Sequence, residues 1–144
     1  MTVVIDTNVV LGMFSDGHPV RPIFWAWFDG GIRWAVTTDI LLEYEEIVGE
    51  HSGSARVKKM FRLMDTVGRL HGNVVRISPQ FRFRAIPADA DDDKFADDDK
   101  FADCAIAADA DYIVTEDRHF NSLAGTGYRP KPITPHEFIR RFLP

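Results

Sequence analysis

Carboxylates stand at four places where this chain could do chemistry. Asp6 directly follows the apolar run Thr2 to Ile5, and Glu43 lies in Ile40-Leu41-Leu42-Glu43-Tyr44. Asp97-Asp98-Asp99 heads an apolar helical pattern, and Asp117 closes Thr115-Glu116-Asp117 just after Tyr112-Ile113-Val114. Brought together, such groups repel and cannot all stay ionised without a counter-charge. Oxygen-only ligands favour hard cations, Mg2+ or Mn2+, that keep several waters. A cation held in that way orients water for in-line attack on a phosphodiester. Each acid also has a plainer reading: Asp6 and Asp117 as helix caps, Glu43 as a solvated helix residue like Glu45 and Glu46. No Cys–His pair or glycine-rich phosphate loop competes for the role. His18, His51, His71, His119 and His136 show no ligand spacing, so surface or turn positions are expected for all five. Cys104 reads as a small packed hydrophobe.

The densest charge lies from Ala88 to Asp103, with eight aspartates and two lysines, and DDDKFA occurs there twice, from Asp91 to Ala96 and from Asp97 to Ala102. Helical phase selects among these acids. With each residue advancing about 100° from Phe101, Ala105, Ala108 and Cys104 form one stripe that faces a sheet. On the same wheel Asp98 falls at about +60° and Asp97 at about −40°, whereas Asp99 and Asp103 fall near 160° and 200°. Asp98 therefore points to the sheet edge, and Asp99 and Asp103 belong to an outer or substrate-side face. Six residues are not a whole number of turns, so the first copy is expected to loop out or to extend the helix. A calcium loop from Asp89, Asp91 and Asp93 fails, because Lys94 and Lys100 stand where loop positions six and twelve need glycine and an acid. A phosphoaspartyl site on an α/β sheet ranks lower, since Asp6-Thr7-Asn8 lacks a second acid two residues on.

The elements that must position these acids alternate. Strands are expected at Thr2 to Ile5, Arg33 to Thr37, Asn73 to Ile77, Tyr112 to Val114 and Lys131 to Thr134. Between them lie helical patterns at Val9 to Phe14, around Ile23 to Phe28, after a cap at Thr38 or Asp39, from Gly53 to Gly72, up to about Ala108, near Phe120 to Leu123, and from Pro135 to Phe142. Phe81-Arg82-Phe83-Arg84 alternates as an edge strand would, and Trp25 and Trp34 read as core. The pattern predicts an α/β fold, a three-layer α/β/α sandwich around a central parallel sheet of four to five strands. In such sheets ligands bind beyond the carboxyl ends of the strands, where strand order reverses, which is where Asp6, Glu43, Asp98 and Asp117 would meet.

Length and composition set the limits. With 144 residues, 45% apolar and 27% charged, the chain reads as one domain spanning residues 1–144 with a sizeable core. No apolar run approaches the roughly 20 residues of a membrane span, and the start lacks a signal-peptide pattern. A single cysteine suits a reducing compartment, so a cytoplasmic location is expected. The net charge of −5 belongs to one segment: taking the eight Asp and two Lys of Asp89 to Asp103 from 22 acidic and 17 basic residues leaves 14 and 15. A phosphate-bearing substrate is thus not excluded.

Val3-Val4-Ile5-Asp6-Thr7-Asn8, Thr37-Thr38-Asp39-Ile40-Leu41-Leu42-Glu43-Tyr44 and the aspartate-rich Lys-Phe-Ala stretch leading to Tyr112-Ile113-Val114-Thr115-Glu116-Asp117 follow one another in a familiar order. The chain resembles the PIN-domain proteins, in particular the toxin-like group related to VapC. That resemblance implies an α/β/α fold, a Mg2+- or Mn2+-dependent endoribonuclease acting on RNA, and inhibition by a small protein antitoxin. It assigns metal binding to Asp6, Glu43, one aspartate of the acidic run and Asp117, with Asn8 as a supporting polar residue. Glu116 departs from the group, which usually has glycine there; it either adds charge to the site or points outward. Arg56, Lys59, Arg82, Arg84 and Arg118 are candidates to guide phosphates. A homodimer through the Trp25/Trp27 helix is also implied. The alternative function is a catalytically inactive PIN module kept for protein interaction.

Overall fold

The structure, a computed structural model, describes residues 1–86 and 92–143, of which 92–97 as backbone only. Strand β1 (Thr2–Ile5) is buried along its whole length, as an uninterrupted apolar run demands of a strand covered on both faces. It lies between β2 (Arg33–Val36) and β4 (Tyr112–Val114), with Val3 opposite both Trp34 and Tyr112 and Ile5 opposite Val114. Strands β3 (Val74–Arg76) and β5 (Lys131–Ile133) complete a five-stranded, all-parallel sheet in the order β3-β2-β1-β4-β5. The outer strands are one or two residues shorter than the apolar pattern suggests.

The chain steps from β1 outward to β2 and β3, then returns to the other side for β4 and β5. Strand order therefore reverses between β1 and β4, and their carboxyl ends open on a common crevice. Helices α1 (Thr7–Met13) and α2 (Arg21–Phe28) link β1 to β2, α3 (Thr38–Ser52) and α4 (Ser54–His71) link β2 to β3, and α1 packs on both α2 and α3, which puts the four on one face. Helix α5 (Asp92–Ala107) and the 3₁₀ segment Arg118–Gly125 fall on the other, where α5 packs on β1, β2 and β4. Helix α6 (Pro135–Phe142) packs against α2. This is the expected α/β architecture. Among the described residues no helix is long and apolar enough to cross a membrane.

Local chemistry sets the element ends. Thr37, not Thr38 or Asp39, caps α3, its Oγ1 accepting the Ile40 N–H at 3.1 Å. Gly53, at φ 86°, separates α3 from α4 in a conformation that L side chains avoid. The Phe81-Arg82-Phe83-Arg84 stretch is not a strand. Arg84 adopts φ 49°, which breaks an extended run, and the segment folds over α5 instead, with Phe83 N–H donating to Asp103 Oδ1 at 3.0 Å. The first repeat copy, from Asp92 on, extends α5 rather than looping out; Asp89 to Asp91 lie outside the described residues.

An aromatic file runs through the core: Trp27 to Trp34, Trp34 to Tyr44, Tyr44 to Phe101 and Phe101 to Phe120, with ring centroids 5.4 to 6.5 Å apart. Trp25 is not part of it. It is 47% exposed, because Trp27 and Phe24 occupy the inward stripe of α2 and Trp25 falls on the opposite side. Tyr44 OH donates to Ile5 O and accepts the Trp34 Nε1–H at 3.3 Å, all of it buried. Removing that hydroxyl orphans a buried carbonyl and a buried indole N–H. Tyr44→Phe is expected to cost about 1–3 kcal/mol and to lower the thermal midpoint by roughly 3–9 °C, measured by calorimetry.

Candidate metal centre

Asp6 leaves β1 with an extended backbone and begins α1. Its Oδ1 accepts the Thr7 N–H at 2.8 Å, and its Oδ2 accepts the Thr115 hydroxyl at 2.7 Å. One carboxylate thus caps a helix and ties the end of β1 to the end of β4. Burial pushes the Asp6 carboxyl above its ordinary value; the Thr115 and Thr7 hydrogen bonds oppose this, and the charges of Glu43 and Asp117 reinforce it.

Thr115 also organises Asp117, whose N–H donates to Thr115 Oγ1 at 2.9 Å. Asp117 Oδ1 accepts the His119 N–H at 2.9 Å and so caps the 3₁₀ segment. Across the crevice α5 delivers Asp98, which is only 7% exposed, in agreement with its phase on the helix. Asp98 Oδ2 has no aligned hydrogen-bond donor among the described residues and lies 3.4 Å from His119 Nδ1. The same Nδ1 is 3.2 Å from Asp117 Oδ1. One ligand atom from each of Asp98, Asp117 and His119 falls within 4.8 Å of the others. Burial first, then the charges of Asp117 and Asp6, push the Asp98 carboxyl up to about 6, against a lowering contribution from His119.

Glu43, one turn inside α3, is already engaged. Thr7 Oγ1 donates to its Oε2, and Lys100 Nζ lies 2.9 Å from its Oε1. All four acids stand around one crevice, but they divide: Asp98 and Asp117 form the tight cluster, and Asp6 and Glu43 flank it, bonded to Thr115 and to Thr7. His119 sits half-exposed in the 3₁₀ segment, as a surface or turn position would, but its Nδ1 stands beside two aspartates. Its place two residues after Asp117, at the start of a segment that Asp117 caps, is the signal that spacing between histidines could not provide. Lys100 and the two threonines were also missed.

The neighbouring positions differ in what they can do. Asn8 and Glu116 are exposed, so Glu116 points outward rather than adding charge to the cluster. Arg56 donates to Phe14 O at 2.7 Å, at the far end of α1 from Asp6, which removes it from the crevice. Arg82 and Arg84 do reach the site's border, where both lower the Asp99 carboxyl against the raising effect of burial and of Asp103. Thr37, Phe81, Arg82, Asp99, Lys100 and Asp103 line a cavity of about 450 Å³ there.

A buried carboxylate oxygen without an aligned donor among the described residues, two more ligand atoms within 4.8 Å and a surplus of like charge together fit a divalent cation. A family model described as PIN domain matches residues 2–119, a stretch that contains β1 to β4 and all four acids. No curated protein and no solved structure matches the chain.

The raised Asp98 makes the metal-free protein sensitive to pH. In the fold it binds its proton up to about 6, against 3.8 ordinarily, so stability is gained on acidification through that window and lost as pH rises through it. Asp111 and Glu137, held below their ordinary values, titrate beneath the window. Metal-free protein is therefore expected to melt at a higher temperature at pH 5 than at pH 7. Asp98→Asn should raise the pH 7 midpoint by about 2–4 °C and flatten part of the dependence, both read by thermal melting in EDTA.

Proposed function

The chain belongs to the PIN-domain family, and on that premise we propose that it is a Mg2+- or Mn2+-dependent endoribonuclease, the toxin member of a pair with a protein antitoxin. The observation that carries the reading is the sequestered Asp98 Oδ2, close to Asp117 and with no hydrogen-bond donor aligned on it among the described residues. Asp98 and Asp117 hold the cation, and Asp6 and Glu43 complete the acidic wall beside them. When bound, the cation supplies Lewis acidity toward a phosphodiester oxygen and water. The protein's own groups do the positioning. Thr115 holds the Asp6 carboxylate toward the crevice and fixes the turn that presents Asp117. Thr7 and Lys100 hold Glu43 in its place on α3. Arg82, Arg84 and the exposed Arg118 stand where a phosphate backbone approaching the acids would pass.

An antitoxin is supported by the resemblance to the VapC-related group and by a second cavity, of about 180 Å³, between α1, α2, α3 and α4, lined by both polar and apolar side chains, Arg21, Arg56 and Lys59 among them. A homodimer would use Trp25 and Phe28, which are exposed on α2; Trp27 is buried and offers nothing to it.

One observation favours the second reading, an inactive module kept for protein interaction: Glu43 is already neutralised by Lys100. Cleavage decides between them. Purified protein is expected to cut RNA in Mg2+ or Mn2+ and to stop in EDTA. Asp98→Asn and Asp117→Asn should each cut at least about 100-fold more slowly while keeping their fold by circular dichroism. Full-rate cleavage by either variant would remove the assignment. Mn2+ at about 100 times its dissociation constant should stabilise the wild type by about 2.7 kcal/mol, which a collapsed site would not show.

A further inference from the structure

We infer that His119 Nδ1 ligates the cation directly, completing a site of two carboxylates and one imidazole that prefers Mn2+ to Mg2+. The inference rests on the metal-dependent reading above and adds a nitrogen donor to it. Nδ1 is nearly equidistant from Asp117 Oδ1 and Asp98 Oδ2, at 3.2 and 3.4 Å. Ligands at right angles on an ion with bonds of about 2.1 Å are about 3 Å apart, so these separations match adjacent positions around one ion. Asp98 adds support, because its buried Oδ2 has no aligned donor among the described residues, which suits a cation.

The backbone makes His119 a dependable third member. Its N–H is held by Asp117 Oδ1 at 2.9 Å, and the next residue, Phe120, is fully buried. The ring therefore starts from a fixed point, with the carboxylate that caps the segment also standing beside the imidazole nitrogen. In its ligating form the ring is neutral, with the Nδ1 lone pair toward the ion and the proton on Nε2. Carboxylates and water suit Mg2+ and Mn2+ alike, whereas imidazole favours transition metals and adds little for Mg2+. A site limited to Asp6, Glu43, Asp98 and Asp117 would carry no such preference from its donors.

The test measures binding, not cleavage, on the full chain. Mn2+ and Mg2+ are titrated calorimetrically into wild type, His119→Ala, Asp98→Asn and Asp117→Asn, and pulsed electron paramagnetic resonance of bound Mn2+ reports any coupling to ligand ¹⁴N. The expected result is a ¹⁴N coupling in the wild type that His119→Ala abolishes, with Mn2+ affinity falling about 10- to 100-fold and Mg2+ affinity by less than about 3-fold. If both metals weaken equally in His119→Ala, or the wild type shows no ¹⁴N coupling, the imidazole is not a ligand and the inference falls while the carboxylate site stands. If neither Asp98→Asn nor Asp117→Asn weakens Mn2+ binding, the carboxylate site falls and takes the inference with it. The wild-type spectrum needs no variant, so poor folding of His119→Ala cannot rescue the idea.

Discussion

Two neighbouring strands leave this sheet at the same edge with acids close behind them, and the repulsion that results is the constraint the surrounding residues answer. Ile5 pairs with Val114, and the Asp6 N–H donates to Val114 O at 3.0 Å, so the end of β1 cannot move away from β4. Each acid then receives local compensation. Asp6 takes a hydroxyl from Thr115 and a backbone N–H from Thr7, Glu43 takes Lys100 and the Thr7 hydroxyl, and Asp117 takes the His119 N–H. Among the described residues, Asp98 Oδ2 at the centre and Asp99 Oδ1 beside it remain buried without an aligned donor. Local compensation of the surrounding acids lets the protein fold around a cation that is not always present.

Such a site needs stiff supports, and the chain provides one beside nearly every acid. Ile5 precedes Asp6, Tyr44 follows Glu43, Phe101 follows Asp98 by three residues, and Phe120 follows His119; all four anchors are fully or almost fully buried. Three of them belong to the aromatic file, and Tyr44 bonds the carbonyl of the fourth. A shift of any acid would require unpacking a large side chain from a core with no slack. The geometry of the crevice is thus inherited from apolar packing rather than from the polar contacts themselves.

This division explains what was legible in the sequence. Core positions announce themselves by period, so the alternating strands and helices, and the phase that turns Asp98 rather than Asp99 to the sheet, follow from Phe101, Cys104 and Ala105 alone. Polar partners carry no such period. Nothing in the spacing of Thr7, Thr115 or Lys100 says that they serve acids far away in sequence, and a search for histidine pairs passes over His119 because its companions are aspartates. Phe81 to Arg84 misled for a related reason: alternation fits a strand, but pairing needs an extended backbone, and Arg84 at φ 49° does not provide one.

The duplicated DDDKFA stretch is compatible with the site because of where the anchor lies. Six residues turn a helix by about 600° and lengthen it by about 9 Å, so two copies in one helix cannot present equivalent acids to the same point. Phe101, near the end of the second copy, and Cys104 and Ala105 beyond it are buried and hold the phase of α5 from its C-terminal side. Residues added upstream of that anchor extend the helix without rotating Asp98. Had the anchor been upstream of the repeat, the same six residues would have rotated Asp98 by about 120° and removed it from the crevice.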